Sequence, residues 1–113
     1  YGSNPTTYTD EIGLMYPSDY GYAASPDAWT TNLSLYSNST INANNWLYMG
    51  LSEWTITPFS SSSDSVFYVD SSGFLNFYYA HNGYAARPVF YLKSNVALQG
   101  GSGTSNDPFI LAV

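Results

Sequence analysis

The chain contains no cysteine. That absence excludes a disulfide scaffold, a thiolate zinc site and a cysteine nucleophile. Positive charge is almost missing as well. Arg87 and Lys93 are the only Arg and Lys, against eight acidic residues, and the formal net charge is −6. Nucleic-acid binding depends on Lys and Arg displacing counterions from phosphate, so nucleic acid is not an expected partner. Attraction to an anionic lipid surface is not expected, on the same ground. No apolar run approaches the roughly 18 residues of a membrane helix, so no membrane insertion is expected from these residues. No signal peptide is visible. The chain opens on Tyr1, and we read it as a processed or truncated piece of something longer.

What is present is aromatic and polar without charge. Aromatics make up 19% of the 113 residues and charged residues only 9%. A disordered chain needs low hydrophobicity and high net charge, which this composition does not show. The length suits one domain, residues 1–113, with a core of its own. Abundant Ser, Thr, Asn, Gly and Tyr with scarce Lys and Glu resembles exported proteins. Two glycosylation sequons, at Asn32 and Asn38, read as chance in a chain so rich in Asn and Ser. Neutral glycans, proteins and other copies of the chain remain as partners.

Residues 1–10 read as a polar leading segment. The run Ile12 to Tyr16 is apolar, and Pro17 stops it. Ser18 is the expected helix N-cap, with Asp19 in the first turn of a short helix over 18–24. Residues 25–45 show neither helical nor strand periodicity and read as a long surface loop, with one helical turn near 27–31. From Trp46 the pattern changes. The alternation at 53–57 predicts a strand ended by Pro58. Serines 60–65, holding Asp64, form a loop. Strands at 66–70 and 74–80 flank a Ser-Ser-Gly turn whose glycine supplies a positive φ. His81-Asn82-Gly83 reads as a second turn, of the Asn-Gly type. Further strands are expected at 89–93, 96–99 and 109–113, the last two around GGSGTSNDP. Strands at about ten-residue spacing predict an antiparallel sheet.

Both cations lie within residues 83–113, beside apolar strands, where they organise the fold sooner than meet a ligand. Arg87, next to Pro88, is expected to pair with Glu53, Asp70 or a backbone carbonyl. Lys93 reads as a solvated strand-end lysine. Its alternative is an isopeptide bond to Asn or Asp, with Glu53 or Glu11 as carboxyl catalyst. Trp54 is assigned a structural role with these three. His81, the one histidine, reads as an exposed turn residue, since a single imidazole makes no metal site. No catalytic carboxylate pair can be placed among Glu11, Glu53, Asp64 and Asp70. The glycine-rich 100–108 segment lacks the Lys and the helix of a phosphate loop. It also lacks the carboxylates of a calcium site, so it reads as a turn. No cofactor or metal is expected.

The Tyr-rich segment carries the functional expectation. Tyr48, Tyr68, Tyr78, Tyr79 and Tyr84 sit among Asn76, His81 and Asn82. Tyr beside Asn and Ser combines rigid amphipathic contact with adaptable hydrogen bonding, as in paratopes. The period of 74–80 leaves open which of these rings face solvent.

The order IGLMYPSDYGYA, a WxxTP segment from Trp54 to Pro58, VFYVDSSG, RPV running into LKSNV, and GGSGTSNDPF resembles a known module. That module occurs in surface and type IV pilin-like proteins of gut Gram-positive bacteria. It looks like the C-type-lectin-like fold in its formylglycine-generating-enzyme variant. The resemblance covers about residues 12–111. It implies an α+β domain: a twisted antiparallel sheet, one or two short helices and long irregular loops. It also implies extracellular display at a cell surface or pilus. Formylglycine-generating enzymes act through a cysteine pair, which this chain lacks, so their oxidase chemistry is excluded. The Glu-Pro-Asn, Gln-Pro-Asp and Trp-Asn-Asp motifs of calcium-dependent lectins are also missing.

The expectation is therefore a non-catalytic module for adhesion or ligand binding. Its surface is built by Ser62, Asp64, Asn76, Tyr78, Tyr79, His81, Asn82 and Tyr84. The alternatives are a self-assembling filament subunit and, next, a glycan-acting enzyme.

Overall fold

Three strands rich in β-branched and aromatic residues form the centre of the protein. They are β2 (Glu53–Pro58), β3 (Ser65–Val69) and β4 (Leu75–Tyr79), paired antiparallel in the order β2-β3-β4. The computed structural model describes residues 10–36, 40–104 and 106–112. The expected leading segment, Asn38 of the second sequon and Val113 of the last strand lie outside these or at their margin.

The β3–β4 turn forms as expected. Gly73 adopts φ +93°, the Gly73 N–H donates to the Asp70 carbonyl at 2.9 Å, and the Asp70 carboxylate accepts the Ser72 N–H at 2.7 Å. A glycine in the left-handed region matches the turn to the strand twist. The far edge of β2 is covered by two short segments. The Ile56 N–H donates to Met15 O at 3.0 Å, and the Trp54 N–H donates to Ala85 O at 2.9 Å. Next to Met15, β1 (Gly13–Leu14) pairs antiparallel with β5 (Pro88–Val89). The last pair, β6 (Ala97–Gly100) and β7 (Ile110–Ala112), is a separate two-stranded ribbon.

One helix packs on the sheet. In α1 (Pro17–Tyr22) the proline starts the helix, where its missing N–H costs nothing. The cap is therefore Tyr16 and not Ser18, and Asp19 Oδ2 accepts the Tyr16 N–H at 2.7 Å. The expected surface loop at 25–45 is likewise corrected. It holds two 3-10 turns (Pro26–Ala28 and Leu33–Leu35) and the short α2 (Thr40–Ala43), and several of its residues are interior. Tyr36, Asn42 and Asn45 are buried with Met15, Tyr20, Ala24, Ala28 and Val69. Their polar atoms are spent internally: Tyr36 Oη donates to Ala28 O at 2.9 Å and Asn45 Nδ2 donates to Tyr20 O at 2.9 Å. Among the described residues no buried side-chain polar atom lacks a hydrogen-bond partner, as close-packed interiors require.

Two more expectations change. The 89–93 strand stops at Val89, because its partner β1 is only two residues long. The second turn closes at Asn82, whose N–H donates to Tyr79 O at 3.1 Å, and Gly83 is not among the glycines with positive φ. The result is an α+β arrangement of antiparallel strands with short helices.

Candidate functional site

The strand register decides which rings share a face. Trp54 stands opposite Tyr68, which stands opposite Asn76, and Val66 stands opposite Tyr78. Since side chains alternate across a strand, Trp54, Tyr68, Asn76 and Tyr78 belong to one face. Leu75, Phe77 and Tyr79 belong to the other. Tyr84 joins the first set from outside the sheet. The 84–85 segment is held against β2 by the Ala85 N–H, which donates to Ser52 O at 2.9 Å. Tyr84 then lies 4.8 Å from Trp54, 4.7 Å from Tyr68 and 6.4 Å from Tyr78, centroid to centroid. These spacings fall in the range of favourable offset and tilted ring pairs. Tyr68 is sealed beneath its neighbours. Burial, and then Tyr84, pushes its phenol up to about 12.

The aromatic set runs into a polar end. Tyr78 and Tyr79, each 46% exposed, close β4 with rings 5.5 Å apart. The His81 imidazole stacks on Tyr79 at 5.6 Å and 9° between planes. Asn82 Nδ2 donates to Tyr79 O at 3.0 Å, fixing the turn that carries His81. The serine loop meets this end through its backbone, because the Ala80 N–H donates to Asp64 O at 2.9 Å. Ser62 Oγ donates to Asp64 Oδ1 at 2.5 Å and Ser65 Oγ donates to Ser62 Oγ at 3.1 Å. The Ser62 bond, chiefly, holds the Asp64 carboxyl below the usual carboxylate range. Between loop and strand lies a recess of about 230 Å³ lined by Ser62, Ser65, Phe77, Tyr78 and Tyr79.

The fold thus gathers Ser62, Asp64, Tyr78, Tyr79, His81 and Asn82 at one end of the sheet. Tyr84 lies over the adjoining face. Asn76 stands two residues back along β4, with its side-chain oxygen accepting the Phe77 N–H at 2.8 Å. Tyr48 is separate: it packs against the core, and its hydroxyl donates to Ser71 O at 3.0 Å.

The structural residues divide. Arg87 pairs with Glu53, one of the partners expected for it, with Nη2–Oε2 at 2.6 Å and Nε–Oε1 at 3.1 Å. Its Nη2 also donates to Leu47 O at 2.8 Å. Pro88 heads β5 and is exposed, Trp54 is half-buried under Tyr84, and Lys93 is exposed. The glycine-rich turn between β6 and β7 uses the Asp107 carboxylate to accept the Ser102 N–H at 2.9 Å. Gly101 and Gly103 supply positive φ there.

A second concavity was not foreseen. A groove of about 570 Å³ runs between β1, α1 and the residues after β5. Its walls include Ile12, Tyr22, Trp46, Phe90 and Tyr91, and its rim includes Glu11 and Asp19. The apolar runs IGLMY and WLYMG were the available signal. A run of apolar residues does not say whether its side chains face a core or an open groove. Among the described residues no group of three His, Asp or Glu could hold a metal. No helix among them is long and apolar enough to cross a membrane. Compared with known proteins, the chain matches no family model, no curated protein and no solved structure.

Proposed function

We propose that the chain is a non-catalytic extracellular binding module of C-type-lectin-like character, displayed at a bacterial cell surface, with the globular head of a pilin-like subunit as one setting. One observation carries this reading: a continuous set of closely packed, mutually tilted rings ends in half-exposed Tyr78, with half-exposed Tyr79 next to it, beside a recess edged with hydroxyls. Ring faces take up the apolar face of a sugar or a flat protein surface, while Asn, Ser and His satisfy hydroxyls and amides at the margin. The net charge of −6 selects an uncharged ligand over an anionic one. A neutral glycan or a protein surface is the class that fits. The motif order from Ile12 to Phe109 and its resemblance to surface modules support the extracellular setting.

Titration calorimetry against neutral oligosaccharides picked from a glycan array tests the reading. Tyr78→Ala and Tyr79→Ala are each expected to weaken binding by about tenfold, as for a ring at the centre of an interface. Ser18→Ala, on α1 and outside the recess, is expected to leave it unchanged. Binding that survives both tyrosine changes would place the ligand elsewhere. Release of reducing sugar from a bound glycan would overturn the non-catalytic assignment.

A further inference from the structure

Two features are left unused by the binding surface, and each is apolar. The first is the β6–β7 ribbon. Its side chains are exposed except at Gly100 and Ala112, which are half-buried. Leu98 and Leu111 stand opposite each other on one face, exposed to 61% and 50%. An isolated two-stranded ribbon is marginal in water, so this one gains most from being covered. The radius of gyration is 16.0 Å, against about 13 Å for a compact 100-residue domain. The second feature is the groove between β1, α1 and Phe90–Tyr91. Trp46 on its wall is 77% exposed and Tyr91 97% exposed. No β6 or β7 residue lines it, so the ribbon does not fill the groove of its own chain.

The charges of the two surfaces match. Arg87 is engaged by Glu53. Lys93 stands exposed four residues before β6, and among the described residues no ion pair engages it. The groove carries the opposite sign: Asp10, Glu11 and Asp19 are among its lining residues, and Arg87, which also lines it, is matched by Glu53. In a chain with two cationic side chains, an exposed lysine at the root of an apolar ribbon is complementary to an acidic-rimmed apolar groove.

We propose that the β6–β7 ribbon of one copy seats in the groove of a second copy, with Leu98 and Leu111 against the apolar wall and Lys93 against the Glu11–Asp19 rim. The contact joins two different surfaces. It therefore propagates head to tail into a chain of copies, unless the rotation between neighbours closes a ring. It leaves the Tyr78–Tyr79 end uncovered, so a displayed ligand surface repeats along the assembly.

Sedimentation velocity of the full chain over a wide concentration range tests this. The unaltered protein is expected to grow with concentration. Leu98→Asp blocks the ribbon and Trp46→Asp blocks the groove, and each is expected to leave a monomer. Both side chains are exposed, and unchanged circular dichroism verifies the fold of each variant. Mixed together, the two variants retain one good ribbon and one good groove, so they are expected to form a dimer that stops there. Lys93→Glu is expected to weaken association by about tenfold, and adding Glu11→Lys to restore it. A protein that stays monomeric at every concentration overturns the proposal and assigns the groove to another partner. A variant that still assembles, or a mixture that stays monomeric, overturns it equally.

Discussion

Asn42 shows how much one uncharged side chain can hold together. It is 2% exposed. Its Nδ2 donates to Ser72 O at 2.7 Å, and its Oδ1 lies 3.3 Å from the Tyr20 hydroxyl, which donates to Gly73 O at 2.7 Å. The β3–β4 turn is thereby plugged into α1 and α2 through its own carbonyls. Gly73 is doubly constrained: its φ is +93°, and a Cβ there would collide with the Asn42 amide. Gly73→Ala is expected to cost about 2–5 kcal/mol, a left-handed backbone penalty plus overpacking, read from urea denaturation. Adding Asn42→Ala should remove the collision and leave the backbone penalty. The double variant should then fall short of the sum of the two single losses. A fully additive pair would show that the collision is relieved without energy. The glycine was legible in the sequence, because Ser-Ser-Gly between two strand patterns demands a positive φ. Asn42 was not. An asparagine that solvates a loop and one that satisfies buried carbonyls look the same in a polar stretch without period.

Among the elements, β2 is the one the others are hung upon. β3 covers one edge, and Met15 and Ala85 share the other. The Arg87–Glu53 pair locks this second edge. Glu53 opens β2 and is 4% exposed, while Arg87 comes from just before β5 and also reaches the Leu47 carbonyl. Removing one partner strands the other charge in the interior. Arg87→Ala is therefore expected to cost about 3–5 kcal/mol, whereas Glu53→Met with Arg87→Met recovers most of that loss. A double-mutant cycle by chemical denaturation checks both statements. A small loss for Arg87→Ala would mean that water reaches Glu53 freely. The strands that pair with each other in sequence order, β2 to β4 and β6 to β7, were legible to within a residue or two, because alternation and turn chemistry are local signals. The run from Val89 to Lys93 was misread for a physical reason. Its apolar residues fit a strand, but a strand needs a partner of equal length, and β1 offers two residues. Phe90, Tyr91 and Leu92 are left facing outwards, and two of them wall the groove that no local pattern announced. The candidate site divides the same way. Its polar end was legible from Tyr, Asn and His clustering around a turn, but the face assignment needed the register.

At the scale of the whole molecule, a core built from phenols sets a limit at high pH. Tyr20 and Tyr36 are fully buried and Tyr68 nearly so. Burial raises all three phenols above their ordinary value, and Tyr68 reaches about 12. Below about pH 10 these phenols are neutral in both folded and unfolded chains, so their contribution to stability is intact. As pH rises through that value the unfolded chain loses protons that the folded chain keeps. The unfolded state then binds fewer protons, and stability falls with a slope approaching about 1.4 kcal/mol per pH unit for each phenol held well above its ordinary value. Thermal melts from about pH 8 to about pH 12 are expected to show a plateau and then a steep decline, with the buried phenols' share of the phenolate absorbance appearing together with unfolding. Tyr20→Phe separates this cause from general base damage. It loses the hydroxyl bond to Gly73 and is less stable on the plateau, yet its decline is shallower because one titrating group is gone. A variant whose alkaline slope equals that of the unaltered protein would place the sensitivity outside the core. The same accounting explains why a chain with so few charges holds together at neutral pH. Its interior polarity is carried by groups that stay neutral there, and the one buried carboxylate among the described residues, Glu53, is matched by one of the chain's two cations.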